Sequence, residues 1–230
     1  RVNVLRKSFS DFRNNFEKPT EVSLKLPEHM KPLLTSKITV QVLSDSALYF
    51  APLNHVPPPT KSVFGIITGC ASSMITALLC ELPLRGSIEI GWAGLTEEND
   101  LYGNAIHAVY KLEQKIAQHP RIVIGPQLVK YLNFIENDSY PNPDIGKAVK
   151  QMARRCLNLI DKDVAGHYIL DYLGKEYHDN IPQGLRNKVS IEKIYNFAVQ
   201  QKELFKGDTI LEPRYEMLKD YIERKMSLWK

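Results

Sequence analysis

Three cysteines in 230 residues, Cys70, Cys80 and Cys156, offer no metal-binding spacing. Cys70 and Cys80 fall on one predicted helix, about 15 Å apart at ~1.5 Å per residue, which excludes a disulfide between them. An odd count without a secretory signal fits a reducing compartment, so a cytoplasmic location is expected. Charge of one sign is also scarce. Thirty Lys and Arg against 26 Asp and Glu leave a formal +4, spread along the chain. No basic stripe forms, and nucleic acid is not an expected partner. Internal repeats and low-complexity tracts are absent. Long uncharged runs are nearly so, the exception being Val63–Cys80. There Gly65, Thr68, Gly69, Ser72, Ser73 and Thr76 dilute the apolar residues, Lys61 and Glu81 flank them, and no aromatic belt appears. That run predicts a buried helix and no stable membrane insertion.

A hydrophobic content of 43% with 24% charged residues suits a globular chain. The length suggests one domain with extensions, or one and a half. The chain begins at Arg1 instead of Met, and further residues are expected upstream.

Val2–Phe16 has helical spacing, and Glu17–Lys37, with three prolines, reads as an irregular connection. Ile38–Leu43 and Ala47–Phe50 are β-rich runs around Ser44-Asp45-Ser46, a hairpin signal. After the prolines at 57–59 comes the apolar helix, then a predicted strand over Ser87–Trp92, a loop, and a helix opening at Gly103. A second strand is read at Arg121–Ile124. Gly125-Pro126 restarts a short helix, and Tyr140-Pro141-Asn142-Pro143 breaks it. Helical patterns run over Ile145–Ile160, Ser190–Leu204 and from Pro213 to the end, with a possible strand at His167–Leu173. The expected plan is an α/β core over 1–138 and a mainly helical extension over 139–230 packed on it.

Within these elements a few polar residues are grouped by spacing. Alternation places Thr39, Gln41, Leu43 and Asp45 on one strand face. Asp45 fits a metal ligand and equally a turn aspartate that binds nearby amides. On the helix after Gly103, Asn104, His107 and Lys111 share a face opposite Ile106, Val109, Leu112 and Ile116. That polar face fits a binding surface or a simple solvated one. In Arg85-Gly-Ser-Ile-Glu-Ile-Gly91, Ile88, Ile90 and Trp92 are expected to face the core, with Ser87, Glu89 and Gly91 on the open side. Gly91 permits close approach of a backbone or ligand. Arg85 suits phosphate or a surface ion pair.

The order of these parts resembles the catalytic core of class III nucleotide cyclases, most closely the bacterial pyrimidine cyclases of anti-phage defence. The likeness runs through Arg85–Gly91, Asp100-Leu-Tyr-Gly-Asn-Ala-Ile-His107-Ala-Val-Tyr-Lys111, Ala117–Ile124 and Arg214-Tyr215-x-x-Leu218-x-x-Tyr221, the last two as structural segments. It implies an α+β, ferredoxin-like cyclase core and cyclisation of a pyrimidine nucleoside triphosphate, UTP or CTP. The product would be a 3′,5′-cyclic nucleotide that serves as a defence signal. By the same resemblance Asp45 holds metal, two ions of Mn2+ or Mg2+ are the cofactors, and Gln41 and Asp100 read the base. His107 stands where such enzymes carry a ribose-orienting Asn, and Lys111 where they carry a transition-state Arg. Arg85 and Asn104 join the substrate-binding set, and two copies pair head to tail to build composite sites.

Two departures are plain. Lys cannot offer the bidentate fork of Arg, and His adds a proton that titrates near neutrality. No apolar strand with an embedded Asp precedes the first helix, so the second metal-binding carboxylate is expected upstream of Arg1. A catalytically inactive nucleotide-sensing or partner-binding module is the alternative.

Overall fold

The structure, a computed structural model, describes residues 38–43, 46–53, 58, 60–98, 100–181, 183–186 and 189–229. The helical pattern over Val2–Phe16, the connection to Lys37 and the turn residue Asp45 lie outside the described residues. Helices and short strands mix in an α+β arrangement. The chain divides into two compact units. The first takes the described residues as far as Ser73 together with Lys130–Asn158, and the second takes Met74–Val129 and those from Leu159 onward.

In the first unit, β1 (Thr39–Leu43) and β2 (Ser46–Phe50) form an antiparallel hairpin. Leu43 pairs with Ser46 and Gln41 with Leu48. Helix α1 (Thr60–Leu79) is the apolar run, begun three residues earlier than its first valine; it starts in the first unit, and its residues from Met74 belong to the second. It is long and apolar enough to cross a membrane by length and composition, yet 61% of its apolar window is buried inside the protein. Two of its polar side chains bond within the helix: Thr68 Oγ1 donates to the Phe64 carbonyl at 2.8 Å and Ser72 Oγ to that of Thr68 at 2.9 Å.

The second unit is built on β3 (Gly86–Ile88), β4 (Gly94–Leu95), β5 (Leu101–Tyr102), α2 (Asn104–Lys115) and β6 (Ile122–Ile124). Helix α3 (Pro126–Asn137) starts here, and α4 (Pro143–Asn158) belongs to the first unit. Strands β7 (Ile160–Lys162) and β8 (Tyr168–Leu170) follow. Short helices α5 (Lys175–Asn180) and α6 (Gln183–Arg186) lead to the long α7 (Ile191–Leu204) and α8 (Leu211–Lys225), which ends in a 3-10 turn at Met226–Leu228. The sheet order is β3-β6-β8-β7. β3 and β6 are parallel, so α2 is their crossover, as parallel neighbours require. β8 runs antiparallel to both β6 and β7. The sheet therefore draws strands from both sides of residue 138. Ile160 belongs to β7 instead of ending a helix, because the helix stops at Asn158 and Ile160, Asp161 and Lys162 pair with Leu170, Ile169 and Tyr168.

The core strand β6 is buried at all three positions, which is why it reads as an unbroken Ile-Val-Ile run. Helix α8 is fixed to the end of β8 by a polar network. Tyr221 donates its hydroxyl hydrogen to Asp171 Oδ1 at 3.0 Å and accepts from the Leu173 amide at 2.9 Å. Lys225 Nζ reaches Asp171 Oδ2 at 2.8 Å and Asp161 Oδ2 at 3.2 Å. Trp229 Nε1 donates to the Leu173 carbonyl at 2.8 Å. Burial raises the Tyr221 phenol well above its ordinary range, so it stays protonated and keeps donating. The adjoining Tyr172 ring lies 4.8 Å from that of Tyr221, but its own buried hydroxyl has no partner among the described residues.

Tyr221→Phe, which strands both the Asp171 oxygen and the Leu173 amide, is expected to lower unfolding free energy by ~2–3 kcal/mol in urea titrations. Tyr172→Phe removes a hydroxyl that bonds nothing, so its stability should match the parent within ~0.5 kcal/mol or exceed it.

Candidate functional site

Of the residues singled out by sequence, Arg85, Asp100, Asn104, His107 and Lys111 lie on or beside helix α2, whose backbone is held at its start, middle and end. At the start, Gly103 adopts φ 132°, and a Cβ there would lie 2.4 Å from the Trp92 carbonyl oxygen. Only glycine fits, for conformation and for space alike. A Cβ on Gly91 would meet Asn104 Oδ1 at 2.8 Å and the Ala105 Cα at 3.2 Å, and the Ala105 amide donates to the Trp92 carbonyl at 3.1 Å. The group that approaches Gly91 is thus the helix itself. In the middle, Ser87 Oγ donates to the Val109 carbonyl at 2.7 Å. At the end, Arg121 Nη2 donates to the Ile116 carbonyl at 2.5 Å while Nη1 pairs with Asp163.

Held this way, α2 exposes Asn104, His107 and Lys111 and half-buries Ile106, Val109, Leu112 and Ile116, the division of faces that the spacing predicted. Neither His107 nor Lys111 has an ion-pair partner among the described residues. Asp100 is exposed at the end of the β4–β5 hairpin, its amide bonded to Thr96 Oγ1 at 3.0 Å. Arg85 is committed: its Nε meets Glu113 Oε1 on α2 at 2.5 Å, the ion-pair alternative. Gln41 is half-buried on β1 and has a polar partner. It belongs to the first unit, and Asp100, Asn104, His107, Lys111 and Arg85 to the second. Asp45 lies outside the described residues.

Three orientations differ from expectation, the first being Ser87, which leaves the open side to bond the Val109 carbonyl of α2. Trp92 does not face the core but is 62% exposed. The strand stops at Ile88, and the chain then bends so that Gly91 and Trp92 brace the first turn of α2. Glu89 leaves the open face to cap another helix. Its Oε1 accepts from the Leu128 amide at 2.8 Å and its Oε2 from the Gln127 amide at 3.3 Å, at the start of α3. A carboxylate there complements the helix dipole and meets otherwise unpaired amides. One signal of this was available in sequence: Gly125-Pro126 opens a helix with no Ser, Thr, Asp or Asn before it, so the cap had to come from elsewhere.

Among the described residues no group of three or more His, Cys, Asp or Glu comes together to hold an ion. Glu89 is spent on α3, Asp163 on Arg121, and Asp171 on Lys225 and Tyr221. These residues do not form a two-ion centre by themselves, and no step below is routed through a metal.

The Arg121 clamp on α2 carries a titrating neighbour. Burial pushes the His119 imidazole down from 6.5 to about 4; the Arg121 and Arg214 charges add to this, and Asp163 opposes it. Unfolding frees that histidine to bind a proton, so stability is full above pH ~6.5 and falls as pH drops toward 4. The loss should total ~1–3 kcal/mol, read as a falling melting temperature from pH 7 to 4.5, and His119→Gln should flatten the slope in that window. Burial alone would raise the Asp163 carboxyl, but the His167 amide and Arg121 outweigh it and hold it low. Its contribution is lost only further down, below the ordinary carboxyl range near ~3.9.

Comparison with protein-family models, curated proteins and solved structures returns no match to this chain.

Proposed function

We propose that this chain is a nucleotide cyclase of the class III type acting on a pyrimidine nucleoside triphosphate, UTP ahead of CTP, in a cytoplasmic anti-phage response. The observation that carries the reading is the exposed Asn104–His107–Lys111 face, with no acid paired to His107 or Lys111 among the described residues, on a helix whose entry is fixed by two glycines. Asp100 stands just before that helix on the same chain segment, in a position to accept hydrogen bonds from a base. A ferredoxin-like core places an antiparallel strand between the two parallel strands of its βαβ unit, whereas β3 and β6 are direct neighbours here, so the reading rests on the α2 face and not on the sheet order.

On this reading Lys111 stabilises charge that builds on the α-phosphate as the 3′-hydroxyl attacks and pyrophosphate leaves. His107 and Asn104 orient the ribose, and Gln41 and Asp100 hydrogen-bond the base edge. Asp45 is the expected holder of Mn2+ or Mg2+, and two copies in a head-to-tail dimer complete each site. Arg85, tied to Glu113, serves the helix and leaves phosphate to Lys111.

A non-catalytic nucleotide-binding module is the second reading. His107 and Lys111, where such cyclases carry Asn and Arg, favour it.

The two separate in one experiment. Full-length protein with Mn2+ and each of UTP, CTP, ATP and GTP is expected to release pyrophosphate from a pyrimidine triphosphate. Lys111→Ala should lower kcat by ~10²-fold with KM little changed, Lys111→Arg should recover most of it, and Asp45→Ala should abolish turnover in a folded protein. Nucleotide binding without turnover of any of the four would leave the sensing module standing, and no binding would remove both.

A further inference from the structure

The chain has only two tryptophans, and they are treated oppositely. Trp229 is half-buried, its Nε1–H bonded to the Leu173 carbonyl. Trp92 is 62% exposed, and Tyr102 beside it is 48% exposed. Leaving an indole in water forgoes the burial that usually justifies so large a side chain. Yet Trp92 is not on a loose loop. Its carbonyl accepts from the Ala105 amide at 3.1 Å, and Gly103 has no room for a side chain because the Trp92 carbonyl and ring edge fill the space. Tyr102 meets the indole edge-to-face, with centroids 5.4 Å apart and planes at 75°. The Tyr102 ring in turn covers Gly94, where a Cβ would sit 3.0 Å from its Cζ. A rigid, buttressed aromatic surface therefore stands in solvent at the N-terminal end of α2.

Its neighbours name the ligand chemistry. Asp100 immediately precedes β5 and its carbonyl accepts from the Thr96 amide at 2.9 Å, extending the hairpin by one pair, so alternation continued through it puts its carboxylate on the side of Tyr102. Lys111 lies about 9 Å along the helix axis from Ala105, six residues at ~1.5 Å each. An aromatic face, an acceptor for a ring N–H and a cation at that separation suit the base and the phosphates of one nucleotide. We propose that Trp92, buttressed by Tyr102, is the stacking platform for the nucleobase. The assignment rests on the nucleotide reading above and adds a residue to it.

The test uses the full-length protein carrying Trp229→Phe, so that Trp92 is the only indole. Titration with UTP and CTP should quench its fluorescence saturably, while inorganic tripolyphosphate, which has no base, should bind without quenching. In calorimetry Trp92→Ala should weaken UTP or CTP binding roughly 5- to 150-fold, the equivalent of ~1–3 kcal/mol for one base–aromatic stack. Trp92→Phe should lose only severalfold, and tripolyphosphate affinity should not change in either variant. Nucleotide binding that neither quenches Trp92 nor weakens on its removal overturns the platform but leaves the nucleotide reading intact. Trp92→Ala that lowers the sedimenting mass with UTP affinity unchanged also overturns it, since the rings then belong to a contact between copies. Absence of any nucleotide binding in the parent protein overturns both together.

Discussion

The candidate site depends on the missing side chains of Gly91 and Gly103. Each would place a Cβ inside the first turn of α2 or the Trp92 backbone, at 2.8 Å and 2.4 Å from the nearest atoms. Those contacts let the chain leave β3, bend, form the β4–β5 hairpin and re-enter as a helix within a few residues. They also fix where that helix points. The Ala105–Trp92 backbone bond, the Ser87 hydroxyl on Val109, the Arg85–Glu113 pair and the Arg121 hold on Ile116 then distribute the constraint along the helix. Asn104 shares in this anchoring, since its Oδ1 is the atom nearest the missing Gly91 side chain, but His107 and Lys111 do not. Those two are positioned by residues other than themselves, which leaves their tips exposed.

A second layer of polar anchoring fixes what lies behind the site. Glu89, Asp163 and Asp171 each join elements distant in sequence: β3 to α3, β6 to the β7–β8 turn, and β8 to α8. Buried or half-buried carboxylates are costly unless hydrogen-bonded or paired, and each of these has two or more partners. The tightness is visible in the glycines beside them. A Cβ on Gly125 would lie 2.1 Å from Glu89 Oε2, and one on Gly174 1.9 Å from Asp171 Oδ2. Acid and glycine thus work in pairs, the small residue leaving space that the carboxylate fills. These acids are accordingly structural, whereas Asp100, at the end of the β4–β5 hairpin, is exposed.

The sequence made the local pieces readable. Period-2 alternation marked the β1–β2 hairpin, and the 3.6 period separated the exposed and inward faces of α2. Gly91 was recognisable as a close-approach position. What did not read through was decided by partners far along the chain. Trp92 continued the alternation of Ile88 and Ile90 on paper, but the strand ends at Ile88 because Glu89 turns to α3 and Gly91 to α2. β7 was hidden in Ile160-Asp161-Lys162, a segment with one apolar residue that becomes a strand only by pairing with β8. The cap of α3 sits 38 residues upstream of the Gln127 amide it receives, beyond any window that local spacing examines.

The contrast between a fixed backbone and free tips bears on which activity the α2 face can sustain. Transition-state stabilisation requires donors already aimed at the developing charge, because reorganisation at the moment of reaction cancels the gain. Lys111 has a flexible stem and no partner among the described residues, and an unpaired Lys carries ~2 kcal/mol of rotamer entropy that a ligand must overcome. Binding a triphosphate tolerates that cost, since several oxygens offer equivalent contacts. Aiming at one α-phosphate does not. On the proposed reading the precision has to come from the other end of the substrate. A base held by rigid groups at the start of α2 fixes the ribose, and through it the single phosphate that Lys111 must meet, so the rigid rings and the mobile ammonium act as two halves of one device.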